Sequence, residues 1–221
     1  FQKLVEKLKI PVITTRLGID LIGSDNPLFV GRPGLYADRP ANFAVQNADL
    51  ILAVGARLDT GIVGYDARDW GRYAKKVVVD VDIEELNKPG INIDIKINCD
   101  AKEFLKELTS KIKIKKLQNI SEWAKTYSLW KKRYPVVLPK YKSERLVNSY
   151  YLTERLSKAA ASNDTILVDT SSCFHVVCQA WKIKKGQRLI TTGGISTMGY
   201  WAAAIGACVA SGSKRTIVIT G

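Results

Sequence analysis

A chain of 221 residues, 46% of them apolar, has room for two modest α/β units and an ordinary globular composition. No apolar run approaches the ~18 residues that a membrane span needs, so no membrane partner is expected. The formal charge of +13 raises nucleic acid as a partner, but much of the excess falls between Lys102 and Lys158. No helix-turn-helix, zinc-finger or aromatic RNA-binding motif accompanies it, so a solvated basic connector is expected and no nucleic acid; an acidic partner stays open.

The four cysteines (Cys99, Cys173, Cys178, Cys208) form no CxxC pair and no metal spacing with the single histidine, His175. Three sit among apolar or small residues, as reduced thiols of a cytoplasmic protein do. Cys173 and His175 are two apart, which puts them on one face of a strand but not of a helix.

In chain order, an amphipathic helix opens at Phe1 (Phe1, Leu4, Val5, Leu8) and leads into a short buried strand at 9–15. A polar, glycine-broken stretch follows over 16–33. Asp38 with Arg39-Pro40 starts a helix whose Ala41, Ala44, Val45 and Ala48 share a face. Residues 50–54 (LILAV) predict a strand covered on both faces, running into Gly55-Ala56-Arg57-Leu58-Asp59. A second such strand at 76–81 ends in Asp80 and Asp82. A helical turn at 83–87, a strand at 91–97 and a helix at 100–110 complete this part. Residues 123–130 repeat Trp123, Tyr127 and Trp130 at helical spacing, predicting packing against a domain face. Leu152, Leu156, Ala159 and Ala160 predict a core-facing helical stripe, and 165–169 a buried strand. The end, 189–221, reads strand, glycine turn, small-residue helix and a strand at 216–220. Both ends interrupt a pattern, so the sequence is expected to belong to a longer protein whose targeting signals are out of view.

Strands alternating with helices at this spacing predict an α/β fold built on a doubly wound, mostly parallel sheet. Ligands on such sheets sit at the carboxyl ends of strands. Three polar clusters fall there: Gly55-Ala56-Arg57, Asp80-Val81-Asp82 and Asn98-Cys99-Asp100. They can serve a nucleotide's phosphate and ribose, or the acids can simply cap the next helix. No GxGxxG is present. The glycine turn at 193–199 has two readings as well, a tight crossover or a place where backbone approaches a ligand.

The residues GGISTMGYWAAAIGACVA (193–210) resemble the start of the diphosphate-binding domain of thiamine-diphosphate enzymes of the acetolactate synthase type. ANFAVQNADLILAVGARLDTGIVG and AKKVVVDVDIEELNK resemble that family's central domain over most of 11–108. The resemblance implies a central domain at 1–109 lacking its first strand, a basic linker at 110–147, and the beginning of a second α/β, diphosphate-binding domain at 148–221.

It further implies that thiamine diphosphate is contacted by Ser171, Ser172, Cys173, Gly194, Ser196, Met198 and Gly221. Met198 matches the apolar prop beneath the bent cofactor, although it can also be core filler. The Ser196 carbonyl matches the acceptor for the aminopyrimidine. Ser171 and Ser172 can alternatively serve as a plain helix cap. In members that carry FAD, the corresponding positions are Gly31, Arg32, Gly34, Gly55, Arg57, Asp59, Asp80, Asp82 and Asp100. Gly221 would open a Gly-Asp-Gly step whose Asp, with a later Asn, holds Mg²⁺. The activating Glu would lie in a preceding domain, so no catalytic residue is expected in this sequence.

The implied reaction decarboxylates a 2-oxo acid such as pyruvate and joins the enamine to a second carbonyl, in a homodimer or homotetramer. The sequence departs from the family at Thr60-Gly61-Ile62, at Ser172-Cys173 (usually Gln-His), at Ser196 (usually Gly) and at Trp201-Ala202-Ala203-Ala204, which lacks a Pro. The alternatives are a module binding FAD, ADP or NAD without thiamine chemistry, and a basic scaffold for an acidic partner.

Overall fold

The computed structural model describes residues 1–112, 121–192 and 198–221. In chain order the first elements are α1 (Gln2–Leu8), β1 (Val12–Ile13), β2 (Phe29–Gly31), α2 (Arg39–Gln46), β3 (Leu50–Val54) and α3 (Thr60–Val63). Then come β4 (Lys75–Asp80), α4 (Ile83–Asn87), β5 (Ile95–Asn98), α5 (Ala101–Lys111) and α6 (Ser121–Arg133). The remainder holds α7 (Ser149–Ala159), β6 (Thr165–Val168), α8 (Ser172–Ala180), β7 (Arg188–Thr191), α9 (Ala203–Ala210) and β8 (Thr216–Ile219). Two compact units result. The first comprises Phe1–Ile13 and Pro33–Arg133, the second Thr14–Arg32 and Tyr134–Gly221. The stretch expected to be a linker is therefore shared: α6 belongs to the first unit, and everything from Tyr134 to the second.

In the first unit, β3, β4 and β5 form a parallel sheet in sequential order, with Leu50 opposite Lys75 and Val77 opposite Ile95. Its core gathers Val45, Ala53, Leu58, Ile62, Trp70, Val78, Leu86 and Ile91. The opening helix buries Leu4, Val5 and Leu8, as the spacing predicts. The α6 aromatics also pack as expected. Tyr127 is buried, and Trp130 meets both Phe43 of α2 and Trp123 edge-on at 5.6 and 5.5 Å. The strand at β3 is less covered than its run of apolar residues predicts: Leu50 is 58% exposed and only Ala53 is buried. With β3 at the edge of the sequentially ordered sheet, one flank of the strand has no neighbouring strand among the described residues.

In the second unit the parallel order is β7-β6-β8, so the central strand is the first of the three in sequence. All four β6 residues are buried. Around them lie Ile19, Phe174, Val177, Cys178, Trp181, Ile183 and Leu189. The glycine-broken stretch 14–32 is part of this unit. Ile183 N donates to Ser24 Oγ, Ser24 N to Ile183 O, and Leu189 N to Asp20 Oδ2, at 2.9, 2.8 and 3.0 Å.

The predicted stripe on α7 is corrected. Leu152 and Leu156 are 45% and 40% exposed and Ala159 is exposed too, so of the four only Ala160 joins the core, and the buried residues within α7 are Thr153 and Ser157. The Asn148 side chain accepts from the amides of Tyr150 and Tyr151 and so fixes where the helix begins. Packed against α8, the helix turns its small side chains, rather than the leucines, inward. Tyr150 Oη then reaches Gln179 of α8 at 2.8 Å.

Candidate functional site

A parallel sheet whose strand order reverses direction opens a crevice at the carboxyl ends of the strands beside the reversal. In the second unit those strands are β6 and β8, with β7 on the other side of β6. Val168 pairs with Ile219, and the Asp169 amide extends the ladder to the Ile219 carbonyl at 2.9 Å. Asp169 and Thr220 therefore stand side by side at the crevice, followed respectively by Thr170-Ser171-Ser172 and by Gly221. A Cβ built on Gly221 would lie 3.8 Å from Cys173 Cβ, so the two strand exits converge.

Asp169 is buried, and its carboxylate binds on both oxygens. Oδ1 accepts from the amides of Thr170 (2.9 Å) and Tyr200 (3.2 Å), and Oδ2 from the Thr220 hydroxyl (3.1 Å). The Thr170 amide, followed by those of Tyr200 and Gly199 with the Thr220 hydroxyl, holds this carboxyl below the usual range despite its burial.

After Asp169 the chain turns sharply. Ser171 has φ 80° and ψ −159°, a conformation that suits glycine, and its side chain makes no cap hydrogen bond. It is exposed, as is Ser172, the first residue of α8. The start of α8 presents backbone N–H groups and the positive end of the helix dipole, with two hydroxyls beside them. This arrangement suits a diphosphate.

Cys173 Sγ donates to the carbonyls of Thr170 (2.9 Å) and Asp169 (3.4 Å), and burial pushes the thiol up. It is a neutral donor rather than a nucleophile. His175 lies on the same helix, two residues on, with its Nδ1 3.4 Å from Arg16 Nη1. Burial, then the Arg16 charge, holds the imidazole below its ordinary value.

Met198 is 83% exposed, which removes the core-filler reading within this unit. It is followed by Gly199 at φ 80° and a 3₁₀ turn over Tyr200–Ala202. Gly194 and Ser196, which resemblance adds to the set, lie outside the described residues. Of the seven thiamine-diphosphate positions, Ser171, Ser172, Cys173 and Gly221 thus meet at the strand exits, and the Asp169–Tyr200 hydrogen bond brings the Met198 turn to them. Sequence reasoning missed the part played by Asp169. Its place at the family's Asp-Val-Gly step was visible, but its partners lie 31 and 51 residues away and no local signal gives it a role.

The nucleotide positions are arranged differently. Gly31 and Arg32 belong to the second unit, the other seven to the first. Gly31 has φ 148°, and Arg32, 3% exposed, holds its guanidinium 5.1 Å from the Phe29 ring centre. Gly34 is a packing glycine: a Cβ there would stand 2.0 Å from the Gly61 carbonyl oxygen, at φ 122°.

Gly55, Arg57 and Leu58 are all left-handed. Lys88 Nζ stabilises that loop by donating to the carbonyls of Arg57 and Leu58, and it pairs with Glu85. Arg57 Nε also meets Glu85, at 2.9 Å. Asp59 precedes α3 as its N-cap residue. The Asp80 carboxylate accepts from Asp82 N, Asp82 from Glu84 N, and Asp100 from Lys102 N and Glu103 N, all at 2.8–3.1 Å. Asp80, Asp82 and Asp100 thus carry the turn and capping bonds that the sequence left as one of two readings, whereas the Asp59 side chain makes no cap hydrogen bond. A cleft of about 740 Å³ opens beside the loop, but Arg57, Arg68 and Lys88 on its wall are matched by Asp59, Asp66 and Glu85.

Residues 1–108 match the family described as thiamine pyrophosphate enzyme, central domain. Over 99% of its length the chain is 32% identical to a probable acetolactate synthase large subunit of Methanococcus aeolicus, of which it covers 38%. It is 34% identical over its full length to the mitochondrial acetolactate synthase catalytic subunit of Saccharomyces cerevisiae, covering 33% of it. It is 33% identical over its full length to the acetolactate synthase large subunit of Lactococcus lactis subsp. lactis, covering 38%. The chain thus spans little more than a third of these curated relatives. Residues 1–108 thus carry the thiamine pyrophosphate enzyme central domain, and the likenesses along the full chain support an enzyme of the acetolactate synthase type.

Proposed function

We propose that the complete protein decarboxylates a 2-oxo acid such as pyruvate and joins the remaining unit to a second carbonyl, using thiamine diphosphate and Mg²⁺. The observation that carries this reading is the crevice where β6 and β8 end. There a glycine-like turn at Ser171, the start of α8, and Gly221 converge beside the Met198 turn.

The residues present fit the cofactor. The amides and hydroxyls of Ser171 and Ser172 would hold its diphosphate, with the α8 dipole favouring the negative charge. Gly221, whose Cβ position lies 3.8 Å from Cys173 Cβ, would bring backbone to the other side of the diphosphate. The exposed Met198 would support the rings, and Gly194 and Ser196 would complete the turn. Thiamine diphosphate, when bound, supplies the centre that stabilises the carbanion left by loss of CO₂. The chain's own residues bind and orient; none of them is assigned a proton transfer.

Magnesium enters through the resemblance. Among the described residues no group of three or more His, Cys, Asp or Glu could hold a metal. A homodimer or homotetramer and a cytoplasmic location belong to the same proposal, although the printed name of the yeast relative places that protein in the mitochondrion. No helix among the described residues is long and apolar enough to cross a membrane.

We assign no flavin to the first-unit positions. Their acids serve caps and turns, and Arg57 is paired with Glu85, leaving no excess of positive charge for a diphosphate. No step is routed through a flavin, and no observation favours the reading as a stand-alone nucleotide-binding module.

The test is calorimetric titration of the complete protein with thiamine diphosphate in Mg²⁺. Saturable binding is expected, weakened at least about tenfold in Met198→Asp, where a charge would replace an apolar support. Equal affinity in that variant would place the cofactor elsewhere.

A further inference from the structure

We infer that Asp169 is a positioning residue whose carboxylate clamps the Met198–Gly199 turn onto the paired ends of β6 and β8. The inference rests on the thiamine-diphosphate reading of this crevice and adds a residue to which neither the resemblance nor the comparisons give a role.

Three segments meet on this side chain. Through its own amide Asp169 extends the β6–β8 ladder to the Ile219 carbonyl. Its Oδ1 then holds the amide of Thr170, which leads into the Ser171 turn, and the amide of Tyr200, two residues past Met198. Its Oδ2 holds the hydroxyl of Thr220, immediately before Gly221. The diphosphate wall, the thiamine support and the strand end opposite them therefore share one anchor.

Packing does little to hold the turn by itself. Met198 is 83% exposed, Trp201 is 55% exposed, and among the described residues nothing lies within 4 Å of a Cβ built on Gly199. Under those conditions the hydrogen bonds from the turn to a buried carboxylate decide where its backbone stands. The same geometry explains how an acid can sit beside an anion site. Both Asp169 oxygens bind N–H and O–H groups of the protein, so the negative charge is spread over donors rather than presented to a diphosphate.

The test uses the complete protein in four variants: Asp169→Ala, Asp169→Asn, Thr220→Val and Thr220→Ser. Two readouts are taken, thiamine-diphosphate affinity by calorimetry and hydrogen exchange of the 198–202 amides without cofactor. Asp169→Ala is expected to weaken binding by about 10- to 100-fold, as loss of an orienting partner does at other sites, and to speed exchange at Gly199 and Tyr200. Asp169→Asn is expected to stay within about threefold of wild type, because its Oδ1 still accepts both amides while its Nδ2 donates to the Thr220 hydroxyl. Thr220→Val should fall several-fold and Thr220→Ser should not.

The inference is overturned if Asp169→Ala binds and exchanges like wild type, or if Asp169→Asn falls as far as Asp169→Ala. Should Asp169→Ala fail to fold, the Asn variant and the Thr220 pair decide, and equal affinity in Thr220→Val and Thr220→Ser refutes the clamp. If wild type does not bind thiamine diphosphate, the proposed function falls. Unchanged exchange in the variants would then refute the clamp separately, and faster exchange would uphold it.

Discussion

Ser171 occupies a conformation built for another residue. At φ 80° and ψ −159° a Cβ crowds the backbone, and such positions cost of order 1–3 kcal/mol for a residue other than glycine. Replacing Ser171 with Gly removes that cost. The more flexible unfolded chain of the glycine variant takes back ~0.5–1 kcal/mol. The side chain is exposed and makes no cap hydrogen bond, so nothing else of consequence is lost on folding. Ser171→Gly should therefore stabilise the second unit by about 1 kcal/mol, the middle of that difference. With a urea m-value of ~1–2 kcal/mol per M for a unit of this size, the midpoint should rise by roughly 0.5–1 M. Ser171→Ala is the control, because it keeps the strain and loses only the hydroxyl; its midpoint should stay near wild type. Circular dichroism across a urea series reads both. If Ser171→Gly is no more stable than Ser171→Ala, the turn is not strained and the account of it is wrong. The same pair separates stability from function. If the hydroxyl touches the diphosphate, both variants should lose affinity for thiamine diphosphate, while only the glycine variant gains stability.

Two further outcomes follow from particular contacts. Gly34→Ala would drive a methyl to 2.0 Å from the Gly61 carbonyl oxygen at a backbone angle that already disfavours it. Thermal denaturation should show the first unit destabilised by at least about 2 kcal/mol. Acid should weaken the second unit. Arg215 foremost, with the Ala161 amide, holds the Asp164 carboxyl below its usual range, and the Thr170 amide foremost does the same for Asp169. A carboxyl with a depressed folded value contributes stability that is present above its unfolded value, near 3.9, and is lost as pH falls through the folded one. His175, also depressed, has the same sign at higher pH, since below about 6.5 the unfolded chain takes up the proton first. Urea midpoints should fall from pH 7 to pH 3, with Asp164→Asn flattening the steepest, acidic part; a flat profile in wild type would contradict these contacts.

Much of the fold is legible in the sequence because its signals are local. Leu4, Val5 and Leu8 recur at helical spacing and are buried; the α6 aromatics recur likewise, and Trp130 finds Phe43. Asp82 and Asp100 stand where a cap is wanted and serve as one. The reading fails where size rather than polarity selects the buried face. On α7 the leucines suggest a core stripe, yet Thr153 and Ser157 face inward, small enough for α7 to lie close against α8. The 14–32 stretch reads as part of a first domain because it is contiguous with one, but Ser24 and Asp20 find their partners beyond residue 180. At the site, the residues along the strand exit were visible. The gathering role of the Asp169 carboxylate was not, because pairing it with Tyr200 and Thr220 requires knowing which strands are neighbours.

Strand order is what separates the two units as places for a ligand. Each has three parallel strands, glycines near a strand end and an acid at the exit. In the order β3-β4-β5 each crossover steps the same way. The polar residues at those exits are taken up by the starts of the next helices: Asp82 caps α4 and Asp100 caps α5. In the order β7-β6-β8 the first crossover steps from β6 to β7 and the second returns past β6 to β8, so the direction reverses and a gap opens between β6 and β8, at Asp169. There the acid faces neighbouring segments instead of its own helix, and the start of α8 is left with exposed serines at its mouth. Composition alone does not distinguish these exits, since both contain acids, glycines and hydroxyls. The direction of the chain's return does, and it is the reason the proposed cofactor site is drawn on the second sheet.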